Sequence, residues 1–255
     1  MSTRRSRAPI WTQPAPGARR PRLTREQIAQ VALAIADAEG FDAVSMRRLA
    51  TDLDVGTMTL YHYVRTKDDL IALMDDALMA EVLVPASEMR AGWRAGLTAI
   101  SRASRDAFLR HPWALRSLEG ARFGPNGMRH MEQSMAAVAD LPLPMQERLE
   151  VLAMVDDFVF GHVHRVSTAW APGSLDARTM RAISDFMSAQ LETGEYPHLA
   201  GLIGSDGDPG EAMLRVARWM GEDQRFERGL AAMLDGIEAR LKPRASGRGG
   251  SRRGR

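Results

Sequence analysis

The sequence predicts an all-α fold: a three-helix helix-turn-helix unit followed by a helical bundle. Three observations predict it. From residue 24 onward, apolar residues recur at spacings of three and four, and no long segment alternates with period two. Ser or Thr stands just before several of these runs, where a helix needs an acceptor for its first free N–H groups. Pro112, Pro125 and Pro144 head three later runs, as the first-turn preference of proline requires.

The elements follow in order. Thr24 caps the first helix, Gln27 completes a capping box, and Leu23 and Ile28 are placed for a hydrophobic staple. Ile28, Val31, Ala32, Ile35 and Ala36 form its buried stripe, and Gly40 ends it. Ser45 caps a second, short helix with Leu49, Ala50 and Leu53 inward. Asp54-Val55-Gly56 breaks it, and a third helix runs from Thr57 to about Tyr63. Thr66 caps a fourth that starts at Lys67 and stops before Pro85. Further helices are predicted at about 89–110, 112–119, 125–139, 144–170, 174–191 and 222–241. Segment 192–214, rich in Gly, Pro and Asp, is predicted to be a long loop.

Charge divides the chain the same way. The formal net charge is only +2, from 34 Lys and Arg against 32 Asp and Glu. Residues 1–25 hold seven Arg and no acid; residues 242–255 hold one Lys, five Arg and no acid. The remaining 21 cations face all 32 acids, so residues 26–241 carry −11. The expected organisation is a disordered basic arm at 1–22, a helix-turn-helix domain at 23–68, a body at 69–241 and a disordered basic tail at 242–255. A basic arm beside a DNA-binding unit can track phosphates or enter a minor groove, with a solubilising tail of incidental charge as the alternative.

Several classes are excluded. The chain has no Cys, which removes disulfides, cysteine zinc sites and a Cys nucleophile. No Gly-rich phosphate loop, Gly-x-Ser-x-Gly or His-Glu-x-x-His is present. The one Glu-x-x-His spacing, Glu195–His198, contains Pro197 and does not provide a helical di-iron pair. No enzyme activity, metal or cofactor is expected. No apolar run reaches the roughly 18 residues of a membrane span, and Trp11-Thr12-Gln13-Pro14 interrupts where a signal peptide needs an apolar stretch; a cytoplasmic protein without membrane attachment is expected.

The segment Val44–Lys67 reads VSMRRLATDLDVGTMTLYHYVRTK. Two short helices about a three- or four-residue turn, with Leu49, Leu53, Val55 and Leu60 inward, make a helix-turn-helix. A plain helical hairpin is the competing reading, but the third helix is too short to be explained by core burial alone. Its outward residues are hydroxyls, phenols and a thioether, groups suited to a major groove.

Thr59-Leu60-Tyr61-His62-Tyr63-Val64 followed by Lys67-Asp68-Asp69-Leu70 resembles the DNA-binding domain of the tetracycline-repressor (TetR) family of bacterial regulators. Glu195-Tyr196-Pro197-His198-Leu199, Phe226-Glu227-Arg228-Gly229-Leu230 and Leu234-Asp235-Gly236-Ile237-Glu238 resemble the C-terminal domain of the branch named for the tetracycline repressor. The resemblance implies that Arg47 meets phosphate or guanine and that Thr57, Met58 and Thr59 read bases. It implies that Tyr61 and Tyr63 bond phosphate oxygens and that Lys67 anchors a phosphate. Two departures stand out. Asp54 fills a turn position usually held by Gly, and Asp tolerates the left-handed conformation better than most residues. Met58 stands where relatives often carry Gly, Ala or Pro.

The rest of the body reads as a ligand-binding and dimerisation domain. Leu152, Val155, Val159, Val163, Val166 and Trp170 form one stripe, and Val151, Met154 and Phe158 lie on a second; Gly229, Ala232, Gly236 and Ala239 form a small-residue row on the last helix. Val155, Val159, Val163 and that row are the expected homodimer interface, with burial inside a monomer as the alternative. His111, Trp113, Phe123, Met131, Met135, Phe158 and His162 are the expected lining of an effector pocket for a flat, mostly apolar small molecule, with ordinary core packing as the alternative. The implied function is a ligand-responsive repressor released from a pseudo-palindromic double-stranded DNA operator. A ligand-free architectural DNA-binding protein is the rival, and the acidic body argues against it.

Overall fold

The computed structural model describes residues 9–13, 23–117, 124–168, 176–204 and 207–241. Their regular structure is helical, as predicted. Helix α1 (Arg25–Glu39) opens on Thr24, whose hydroxyl accepts from Gln27 N while Gln27 Oε1 accepts from Thr24 N at 2.8 Å. Leu23 and Ile28 are both buried beside this box. A 3₁₀ turn, Phe41–Ala43, leads to α2 (Met46–Asp52), which Ser45 caps by accepting from Arg48 N at 3.2 Å. Helix α3 (Thr57–Tyr63) has its predicted bounds, and α4 (Lys67–Glu81) opens on a second capping box formed by Thr66 and Asp69. Leu49, Leu60 and Val64, all fully buried, tie these short helices together.

The body continues with α5 (Ala86–Met89), α6 (Trp93–Arg110), α7 (Ala114–Ser117), α8 (Pro125–Ala137), α9 (Met145–Thr168), α10 (Ala177–Glu192), α11 (Pro197–Ile203), α12 (Pro209–Met220) and α13 (Asp223–Leu241). The helix predicted at about 89–110 starts one turn later, at Trp93, because Gly92 takes φ 100 just before it and separates it from the short α5. Helices α6 and α9 pack together as the spine of the body, and α13 lies against α9. Their shared interior includes Leu97, Phe108, Val155, Val159, Val163, Phe226 and Leu230. Burial of each large side chain contributes roughly 1.5–3 kcal/mol. Trp170 lies outside the described residues. No helix among the described residues is long and apolar enough to cross a membrane.

Helix α4 belongs to both halves. It packs on α1 on one side and on α8 on the other. The buried Asp76 carboxylate accepts from Asn126 N at 2.8 Å, Gly127 N at 3.0 Å and Asn126 Nδ2 at 3.0 Å. A negative group from α4 thus satisfies the free N–H groups at the start of α8. A Cβ at Gly124 would overlap that carboxylate and the Trp11 ring, so only glycine admits the close approach.

Two expectations are corrected. Within 192–214 the structure has α11 and the first half of α12, not a long loop. Pro197 and Pro209 occupy first turns, Asp208 caps α12, and Gly204 ends α11 at φ 86, so residues that read as loop formers are helix boundaries. The arm predicted as disordered over 1–22 has an ordered part at 9–13. Ile10 is buried in the core, and Arg25 Nη1 donates to the carbonyls of Ile10 at 3.0 Å and Gln13 at 3.3 Å. The basic composition concealed two apolar side chains, Ile10 and Trp11, that pack on the core. The tail at 242–255 lies outside the described residues.

Candidate DNA interface and its junction with the body

The turn between α2 and α3 rests on Asp54, at φ 51 the only non-glycine residue with positive φ among the described residues. Val55 N then donates to Ala50 O at 3.0 Å, which closes the chain back onto α2. Helix α3 is held from beneath by Leu60, and Val64 follows at its end, also buried. Thr57, Met58, Thr59 and Tyr61 are exposed, Met58 at 73% and Tyr61 at 45%. No packing role accounts for a methionine left that open.

Arg47 and Thr57 line one open notch of about 540 Å³ between α2 and α3, with Ala50, Thr51, Asp54, Val55 and Gly56. Arg47 is exposed and makes no ion pair among the described residues, whereas Arg48 is committed to Glu39 at 2.7 Å and Asp52 at 3.0 Å. Tyr63 is half-buried, and its carbonyl accepts from Arg25 Nε at 3.4 Å. Lys67 is exposed at the first turn of α4, its ammonium 5.5 Å from the centroid of the Phe41 ring. The fold therefore gathers Arg47, Thr57, Met58, Thr59, Tyr61 and Lys67 on and around one projecting helix. Hydroxyls there can bond bases or phosphates, the thioether and threonine methyls can meet thymine methyls, and the cations can meet phosphate.

The residues expected to line an effector pocket do not converge. His111 and Trp113 sit at the junction of head and body. Nδ1 of His111 is 2.7 Å from Asp37 Oδ1 on α1, and Nε2 is 3.2 Å from Glu81 Oε2 on α4. Trp113 Nε1 donates to the same Asp37 oxygen at 2.8 Å, and its ring stacks on Phe41 at 5.5 Å between centroids. Buried N–H groups require partners, and here both side chains find theirs on α1 and at the end of α4 instead of around a cavity. Sequence reasoning missed Asp37, Phe41 and Glu81, because a charged helix end and a lone aromatic carry no local signal of a distant partner.

Phe158 and His162 both pack on Phe226, at 5.3 and 4.9 Å between ring centroids. Burial first, then the charges of Arg225 and Arg105, hold the His162 imidazole below its ordinary pKa. Met131 is half-exposed and Met135 partly buried on α8. Phe123 lies outside the described residues. A separate apolar hollow of about 230 Å³, lined by Val166, Met213, Val216, Ala217, Met220 and Arg165, lies between α9 and α12.

The expected dimer row is also revised. Val155, Val159 and Val163 are at most 3% exposed within their own subunit and cannot meet a partner. They form the inner face of α9, a choice between two apolar stripes that periodicity alone does not make. Gly229 serves the same subunit, since a Cβ there would lie 2.8 Å from the Phe158 ring. Ala232, Gly236 and Ala239 do face outward, and a Cβ at Gly236 would touch nothing. The outward row of α9 is Ala153, Asp157, Gly161 and His164.

Comparison with known proteins agrees with this architecture. Residues 28–74 match the family described as bacterial regulatory proteins, tetR family, and residues 85–241 match the tetracyclin repressor-like C-terminal domain. The HTH-type transcriptional repressor DrrR1 of Streptomyces coeruleorubidus is 32% identical over 230 residues, spanning 88% of this chain and 81% of that protein. The apo crystal structure of ActR from Streptomyces coelicolor superposes with a TM-score of 0.63 at 31% identity, covering 87% of this chain and 98% of ActR. ActR in complex with actinorhodin superposes with a TM-score of 0.61 at 29% identity, over 87% of this chain and 99% of that one. With both domains matched and the helix-turn-helix in place, the chain belongs to the TetR family of ligand-responsive, DNA-binding transcriptional regulators.

Proposed function

We propose that the protein is a homodimeric repressor that holds a pseudo-palindromic operator and releases it when a small, mostly apolar molecule enters the body. The observation that carries the reading is the α3 face: a short helix, anchored by Leu60, that leaves Met58 and Tyr61 open to solvent. Arg47, Thr57, Met58 and Thr59 take the base-proximal positions; Tyr61, Tyr63 and Lys67 take the phosphate positions. Two such heads on a two-fold axis read half-sites roughly 34–36 Å apart, or a multiple of that. The outward Ala232, Gly236 and Ala239 of α13, beside Ala153 and Gly161 of α9, supply a face on which a second copy can approach closely. Phe158 and His162, with Met131 and Met135 farther out on α8, are the remaining aromatic and thioether candidates for the effector. The complex of ActR with actinorhodin supports a ligand-holding body in this branch of the family.

The test is a gel shift on the DNA flanking the protein's own reading frame, with and without candidate small molecules. Tyr61→Ala and Lys67→Ala should each weaken binding, and Lys67→Ala should reduce the slope of log affinity against log salt by about 1 for each phosphate left without its cation. Light scattering should report an unchanged dimer. Affinity equal to that of the unaltered protein in both variants contradicts the docking geometry. Sequence-independent binding reversed only by salt favours an architectural protein instead.

A further inference from the structure

A corner of the body reaches into the DNA-binding head and ends at a residue of the DNA face. The corner is the segment between α6 and α7 that carries His111 and Trp113. His111, 6% exposed, places one ring nitrogen on Asp37 of α1 and the other on Glu81, the last residue of α4. Trp113 Nε1 shares the Asp37 oxygen, so that carboxylate accepts from two body side chains. Arg110 of α6 adds an ion pair to Glu81 at 3.0 Å. The charged groups around His111 are thus Asp37, Glu81 and Arg110, from three helices.

The aromatic contact extends this clamp. The Trp113 and Phe41 planes lie 15° apart, in a stacked pair at 5.5 Å. On the Phe41 ring stands the ammonium of Lys67, the first residue of α4. One corner therefore grips α4 at Glu81 directly and at Lys67 through a single ring. Lysine has a long, flexible stem, and a cation held over a ring loses part of that freedom before any phosphate arrives. Holding a contact group in place ahead of binding removes an ordering cost from the complex.

We propose that Trp113, Phe41 and His111 are positioning residues for operator binding: they brace Lys67 at the DNA face from inside the regulatory body. The inference rests on reading Lys67 as a phosphate anchor. It gives the body a direct hold on a DNA-binding group, beside the movement of α4 as a whole. Any rearrangement that shifts the α6–α7 corner moves the ring under Lys67.

A double-mutant cycle with a salt titration tests it, using the full chain and operator DNA. Phe41→Leu removes the ring from both Trp113 and Lys67 and touches no hydrogen bond. His111→Gln loosens the clamp on Asp37 and Glu81. Each alone should weaken operator binding on the order of 3- to 10-fold and make the salt slope shallower, by up to about 0.9 per subunit. In a Lys67→Ala background neither change should weaken binding further, because the group they position is gone. A general loss of stability would lower affinity in both backgrounds and leave the slope unchanged. Circular dichroism and light scattering check folding and assembly; should His111→Gln fail to fold, Phe41→Leu carries the test alone.

Full affinity in Phe41→Leu, or a loss of equal size with and without Lys67, overturns the proposal. If Lys67→Ala lowers affinity and slope while Phe41→Leu is silent, the anchor reading stands and only the positioning role fails. If Lys67→Ala is itself silent, the anchor reading fails and the positioning role with it.

Discussion

At the scale of single residues, the DNA-binding head depends on a conformation that most side chains resist. Asp54 turns the chain between α2 and α3 at φ 51. An L-residue in that region loses about 1–2 kcal/mol, less for Asp and little for Gly. Asp54→Val should therefore lower the stability measured by urea unfolding by about 1–2 kcal/mol, while Asp54→Gly should hold or raise it. A valine variant as stable as the unaltered protein would mean that the turn does not take this form. Exposure separates the proposed reading residues from the structural ones with equal clarity: Leu60 is fully buried on the same seven-residue helix that leaves Met58 at 73%.

At the scale of elements, caps and turns were legible in the sequence and the partners of helix faces were not. Thr24, Ser45 and Thr66 each announce a helix start through hydrogen bonds to residues no more than three positions away, so α1 to α4 follow from local chemistry. The same local chemistry suggests a loop at 192–214, because Pro197, Gly204 and Pro209 mark both loops and helix ends. It also assigns His111 and Trp113 to a pocket, although their partner Asp37 lies 74 and 76 residues away in sequence. Periodicity finds both apolar stripes of α9 and does not reveal that Val155, Val159 and Val163 turn inward. The outward row of α13 leads to a prediction. Gly236→Leu should give a single subunit by light scattering with its helical content intact, since leucine favours helix over glycine and a Cβ at this outward position meets nothing within 4 Å in the subunit. A variant that stays dimeric places the interface elsewhere.

At the scale of the whole molecule, two groups on α9 give stability opposite slopes with pH. The His162 pKa lies below its ordinary 6.5, so the unfolded chain binds more protons there; its stabilising contribution is complete above about 6.5 and lost as pH falls. Partial burial, then the neighbouring Asp157 charge, pushes the Asp156 carboxyl up to about 6 from its ordinary 3.8, although the residue keeps an exposed side. The folded protein then holds a proton that the unfolded chain has released, and ionising Asp156 costs stability as pH rises through that window. Its open side lets solvent screen part of the cost. Asp156→Asn should raise the Tm at pH 7.5 and leave it nearly unchanged at pH 4; equal shifts at both values would rule out the carboxylate as the cause.

The ordered stretch around Ile10 has a practical consequence for anyone shortening this protein. Trimming the arginine-rich leader back to Leu23 would strip a side chain from the interior and leave the Arg25 guanidinium without the two carbonyls it now holds. Cleavage ahead of Pro9 removes Arg4, Arg5 and Arg7 and spares that plug.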